Sequence, residues 1–196
     1  MDQRRRLLEL LVERSLRLGD FTLASGARSS YYIDARRTTM CAEGQALVGR
    51  LGLDAIRESG MEPDWVGGLT MGADPVAYAM AHRSWMDGRP VNAFSVRKQP
   101  KGHGTGNRIE GGLPAGARVV VVEDSLTSGS SSLRAVDALR DHGAEVLGVF
   151  TLVDREGGGE ALLRESAGLR LTRLFTAGEL LDFAGHELPN PVNPEA

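Results

Sequence analysis

Two acids followed by a run of small hydroxyl residues occupy the centre of this sequence: Glu123-Asp124-Ser125-Leu126-Thr127-Ser128-Gly129-Ser130-Ser131. Four valines (119–122) lead into the acids, and an amphipathic helix pattern follows the hydroxyls. Small side chains and Gly129 let consecutive backbone N–H groups converge at a helix N-terminus, where dipole and unpaired donors together bind phosphate. Carboxylates aimed at a phosphate would repel it, but beside one they accept hydrogen bonds from sugar hydroxyls. Acid pair and anion nest in adjacent positions suit a ribose phosphate. The plainer alternative is a capped helix with Asp124 or Thr127 as a solvated cap. That alternative gives no reason for a buried-looking run of valines to lead straight into two acids.

A second constellation lies in a glycine-rich, polar stretch, 97–112, without apolar periodicity. Of 23 basic residues in the chain 21 are arginine, and the two lysines, Lys98 and Lys101, both fall here. Flexible point charges are wanted at this place, unlike the planar fork of arginine. Arg97 and His103 stand in the same stretch. A structureless stretch this long inside a compact domain is expected to be a functional lid.

The elements that must position these residues follow from periodicity. An amphipathic helix over 3–18 ends at Gly19, with Leu7, Leu8, Leu11 and Val12 on one face. A turn-rich approach leads to a short strand, 31–34. Helices are expected over 42–58 and 74–84, and strands over 65–69 and 91–96. The central strand, from 118 to 122, reads as buried on both faces of a parallel sheet. A helix over 132–142, a strand over 146–153, a helix near 160–166, a strand over 169–175 and a short helix from Ala177 complete the alternation. The fold class is α/β, with a central, mostly parallel sheet flanked by helices. In such sheets ligands bind outside the carboxyl ends of the strands, where the acids and hydroxyls stand.

At 196 residues the chain forms one domain with a loosely held tail, 187–196. A net charge of −3 argues against nucleic acid or anionic membrane as a partner. No apolar run approaches the roughly 20 residues of a membrane span. The single cysteine, Cys41, excludes an internal disulfide and fits a cytoplasmic protein. His82, His142 and His186 lack partners at metal-ligand spacing and read as surface or helix-end residues. Trp65 and Trp85 read as core and interface anchors.

The segment from Val119 to Ser131 resembles the signature that binds phosphoribosyl pyrophosphate (PRPP) in type I phosphoribosyltransferases. The loop Arg97-Lys98-Gln-Pro-Lys101-Gly-His103-Gly, with Ile109-Glu110-Gly111 after it, resembles the catalytic loop of the orotate phosphoribosyltransferase family. Phe21-x-Leu-x-Ser25-Gly26-x-x-Ser29-x-Tyr31-Tyr32-x-Asp34 is similar to the N-terminal signature of that family. Gly68-x-x-x-Gly72-Ala73-x-Pro75-x-Ala77 resembles its pyrophosphate loop, and Asp154-Arg155-Glu156-Gly157-Gly158 its orotate segment. The likeness spans about residues 8–183.

The resemblance implies transfer of a phosphoribosyl group from PRPP to orotate in pyrimidine biosynthesis, with Mg2+ as cofactor held mainly by PRPP, near Asp124. It implies a small hood over the site, from about residues 1–40 and C-terminal elements, and a homodimer whose loop reaches the neighbouring site. Glu123 and Asp124 would hold the ribose, with residues 125–131 around the 5-phosphate. Thr70, Met71 and Gly72 would face the pyrophosphate, and Arg97, Lys98, Lys101 and His103 would close over it. Thr127 and Arg155 would orient orotate, with Tyr32 and Ile33 flanking the ring. Many relatives carry lysine where this chain has Met71, and often at Ala24, so pyrophosphate must be held here by other groups. Two alternatives share the phosphate nest: transfer to a purine or another base, and a PRPP-sensing regulator that binds nucleic acid.

Overall fold

The computed structural model describes residues 2–22, 26, 28–99 and 108–185. Helix α1 (Gln3–Arg14) starts at Asp2, whose side chain accepts the Arg4 N–H, and buries Leu7, Leu10 and Leu11. It stops four residues before the expected end. Strand β1 (Leu16–Thr22) takes over, pairing antiparallel with β2 (Arg28–Ile33) so that Leu16 meets Ile33 and Leu18 meets Tyr31. Tertiary pairing overrides helix propensity here. Ser15 is wholly buried, its hydroxyl 2.7 Å from that of Thr38, and its carbonyl accepts the Asp34 N–H. This ribbon continues into the one-turn helix α2 (Arg36–Thr39), which periodicity did not show.

The remaining elements follow the expected order, α3 (Ala42–Glu58), β3 (Trp65–Leu69), α4 (Ala73–Met86) and β4 (Asn92–Val96), except that a two-residue strand β5 (Ile109–Glu110) falls within the stretch expected to be structureless. Then come β6 (Arg118–Leu126), α5 (Ser130–Asp141), β7 (Glu145–Asp154), α6 (Gly159–Ala167), β8 (Leu171–Thr176) and α7 (Ala177–Phe183). The six-stranded sheet has the order β5-β4-β3-β6-β7-β8; only the edge strand β5 runs antiparallel.

The valine run explains the centre of this sheet. Val120 and Val122 enter a core with α1, α3, α4 and α7, whereas Val119 and Val121 enter the core formed with α5 and α6. All four are fully buried, as a strand covered on both faces requires. The strand does not end where the acids begin. It continues to Leu126, pairing Glu123 with Thr151 and Ser125 with Val153, so both acids sit on the pleated strand itself. Among the described residues no helix is long and apolar enough to cross a membrane.

Candidate active site

Strands β3 and β6 are neighbours, with Gly67 level with Val121, so the segments after them emerge side by side. The β1–β2 ribbon and α2 face these segments. Between them lies a cleft of about 370 Å3, lined by Tyr32, Ile33, Asp34, Ala35 and Arg36, by the 69–72 loop, and by Lys98, Glu123, Asp124, Ser125, Ser131 and Arg155. A smaller hollow of about 100 Å3, lined by Glu123 and residues 125–131, adjoins it through Glu123, Ser125 and Ser131. The hollow is lined by the residues expected from sequence to form an anion nest. Gly129, at φ +77°, makes the left-handed turn that starts α5, a conformation costly for other residues.

Pleating sends the acids to opposite sides of β6. The Glu123 carboxylate accepts a hydrogen bond from Ser132 Oγ in the first turn of α5, at 2.9 Å. Asp124 faces Gly72 instead. A methyl group added at Gly72 would collide with the Asp124 carboxylate, which is the reason a glycine closes that loop. The Thr70–Met71 peptide in the same loop is cis. Both acids are buried. Burial, and then the charge of Asp124, push the Glu123 carboxyl up to about 7, against the opposing hydrogen bond from Ser132. Asp124 is also raised by burial, opposed by the Ser125 N–H at 2.8 Å and by the charge of Arg36. Two buried acids with raised pKa values, sharing a polar cleft, mark a ligand site rather than a structural ion pair.

The far wall is made by the segment after β7. Arg155 N–H donates to the Leu126 carbonyl at 2.8 Å and Gly159 N–H to the Thr127 carbonyl at 3.0 Å, fastening this segment to the nest. The Arg155 guanidinium carbon stands 5.5 Å from the centroid of the Tyr31 ring, and its buried Nε has no hydrogen-bond partner among the described residues. A buried, unpaired N–H costs about 1–3 kcal/mol unless a ligand supplies the acceptor. A guanidinium held face-on to an aromatic ring, with donors to spare, suits a planar anion carrying oxygen acceptors.

The cleft therefore unites Tyr32, Ile33, Thr70, Met71, Gly72, Lys98, Glu123, Asp124, Ser125, Ser131 and Arg155. Leu126, Thr127, Ser128, Gly129 and Ser130 line the nest beside it. The Leu126 side chain points into the core, so only its backbone can serve a ligand. Arg97 lies apart from this cleft, 3.4 Å from Glu110 across the β4–β5 edge. Lys101, His103, Ala24 and Ser25 lie outside the described residues. Arg36 was missed as a site residue, because it follows the signature through Asp34 and begins a helix too short to show periodicity. Tyr31, beneath Arg155, and Ser132, bonded to Glu123, were also given no role. Among the described residues no three His, Cys, Asp or Glu side chains gather into a metal cluster.

The sequence model described as the phosphoribosyl transferase domain matches residues 42–165. The orotate phosphoribosyltransferase of Aquifex aeolicus is 48% identical over 184 residues, covering 92% of this chain and 99% of the relative. The solved orotate phosphoribosyltransferase of Mycobacterium tuberculosis in complex with Fe(III) dicitrate superposes with a TM-score of 0.80 at 44% identity, over 91% of this chain and 98% of that one. The same enzyme in complex with PRPP gives a TM-score of 0.76 at 42% identity, again over 91% and 98%. Sheet order, nest, acid pair and likeness agree: this chain belongs to the phosphoribosyltransferases and, among them, to the orotate phosphoribosyltransferase family.

Proposed function

We propose that this protein transfers the phosphoribosyl group of PRPP to orotate, forming orotidine 5′-phosphate and pyrophosphate in the synthesis of UMP. One observation carries the choice of base: Arg155, whose buried Nε has no partner among the described residues, lies over the Tyr31 ring at the edge of the ribose-phosphate cleft. Orotate is planar and bears a carboxylate and ring carbonyls, the acceptors such a fork takes. A neutral purine offers no carboxylate to match it.

In this reading the nest of residues 125–131 holds the 5-phosphate with backbone N–H groups and hydroxyls. Glu123 and Asp124 accept hydrogen bonds from the ribose hydroxyls, fixing the sugar at the end of β6. Thr70, Met71 and Gly72 face the pyrophosphate with backbone donors and the Thr70 hydroxyl. Tyr32 and Ile33 flank the pyrimidine, and Thr127 and Arg155 orient it. As the ribose carbon becomes oxocarbenium-like the leaving pyrophosphate gains charge, and Lys101, Arg97, Lys98 and His103 neutralise it. The three acids lining the cleft, Asp34, Glu123 and Asp124, do not gather into a metal cluster among the described residues, but the hard oxygens of Asp124 would suit Mg2+ held mainly by PRPP. Such an ion supplies charge neutralisation on the diphosphate.

The reading includes a cytoplasmic homodimer in which the 97–112 loop serves the neighbouring site. Its support is twofold. Arg97 lies outside its own chain's cleft, although its neighbour Lys98 lines it. Met71, Tyr78, Trp85 and Met86 also expose apolar surface on and just before α4, Trp85 by 73%, with 71, 78 and 85 at heptad spacing.

The test follows the ultraviolet absorbance of orotate with purified protein and Mg2+. Loss of absorbance that requires PRPP, with orotidine 5′-phosphate identified by mass, is expected. No loss at any PRPP concentration would reject the assignment.

A further inference from the structure

We propose that Arg36 binds the pyrophosphate group of the donor, as the cation on the hood side of the cleft. This rests on reading the cleft as a PRPP site. The loop facing the diphosphate, Thr70-Met71-Gly72, brings backbone donors and one hydroxyl but no charge. Among the described residues the cations lining the cleft are Arg36, Lys98 and Arg155. Arg155, over the Tyr31 ring, is given to orotate, and Lys98 to the charge that develops on the departing pyrophosphate. Arg36 is the cation with no assigned task.

Its geometry suits a phosphate. Nε donates to Asp34 Oδ1 at 2.8 Å, whereas neither Nη nitrogen has a partner among the described residues. A guanidinium pinned through Nε keeps its two-nitrogen edge for bidentate bonding to phosphate oxygens. The side chain is 45% exposed, so without Asp34 it would lose rotamer freedom on binding; the ion pair orders it beforehand. The Asp34 carboxyl, held below its usual range by that hydrogen bond, remains the charged partner at neutral pH.

Position argues for the diphosphate rather than the base. Arg36 and Asp124 act on each other electrostatically, and α2 packs against α4, which begins at the 69–72 loop. The diphosphate leaves from the ribose carbon beside the hydroxyls assigned to Asp124. A cation flanking both Asp124 and that loop stands where the diphosphate must lie.

Calorimetry without any base tests this, titrating PRPP with Mg2+ and, separately, ribose 5-phosphate. Arg36→Ala is expected to weaken PRPP by roughly 10- to 100-fold, as loss of charge-assisted bonds does, and to leave ribose 5-phosphate within about twofold. Met71→Lys added to Arg36→Ala restores part of the loss by supplying the cation from the loop. Unchanged PRPP affinity, or equal losses for both ligands, would overturn the proposal, as would a rise in the orotate KM alone. If Arg36→Ala does not fold, Arg36→Gln carries the same comparison. Wild-type protein that binds PRPP but leaves orotate untouched would sink the choice of base and not this inference.

Discussion

Ser132 Oγ donates to the Glu123 carboxylate at 2.9 Å, tying the first turn of α5 to the end of β6 beside the phosphate nest. The bond favours the ionised acid, whereas burial and Asp124 hold its pKa at about 7. Ribose hydroxyls donate, so they also prefer the ionised form. PRPP affinity should therefore rise as pH climbs through about 7, with proton release on binding. Ser132→Ala should move that midpoint upward, and Glu123→Gln should remove the contribution. Calorimetry in buffers of different ionisation enthalpy reads it; identical pH profiles in all three proteins would contradict the account.

The same shift has a sign for stability. A carboxyl raised above its ordinary 4.5 to about 7 stabilises the fold fully below pH 4.5 and loses that contribution as pH rises through 7. Glu123→Gln should flatten the fall in unfolding free energy, read by urea denaturation between pH 5 and 7.5, by up to roughly 3 kcal/mol. A wild-type slope preserved in the variant would assign the pH dependence to other groups.

Arg155→Lys keeps the charge and loses the fork and the stacking. The orotate KM should rise roughly 10- to 100-fold while PRPP affinity without base stays unchanged. A loss confined to PRPP would move Arg155 out of the base pocket.

Gly72→Ala places a methyl group against the Asp124 carboxylate. A strain of about 1–3 kcal/mol follows unless the acid moves, and moving it disturbs the ribose hydroxyls. The expected result is at least a roughly tenfold drop in kcat/KM for PRPP, with ribose 5-phosphate also weakened. Wild-type kinetics would mean that Asp124 does not hold the sugar.

Lys101→Ala should lower kcat by about 100-fold or more with little change in PRPP affinity, because its charge matters most when pyrophosphate departs. Equal loss in binding would make it a ground-state contact.

Strong local signals made most of this architecture readable. The valine run marked the central strand, its alternation filling two cores, and Pro75 lies in the first turn of α4, where a missing N–H costs nothing. The hollow before α5 was legible because small residues and Gly129 at a helix start leave room beside exposed backbone N–H groups. The first helix was read too long, since pairing of Leu16 with Ile33 and burial of Ser15 are long-range and leave no local mark. The acids were expected to follow the strand rather than lie on it, because polar residues mimic a strand end when only the nest side is considered. Arg36 and Ser132 escaped notice for a related reason: each matters through one partner, Asp34 or Glu123, that only folding brings within hydrogen-bond reach.

The most direct measurement presents orotate, adenine, guanine and xanthine in parallel to the purified protein with PRPP and Mg2+, following product by mass. The account predicts PRPP-dependent turnover of orotate alone. Turnover of a purine in its place, or PRPP binding with no turnover of any base, would contradict it.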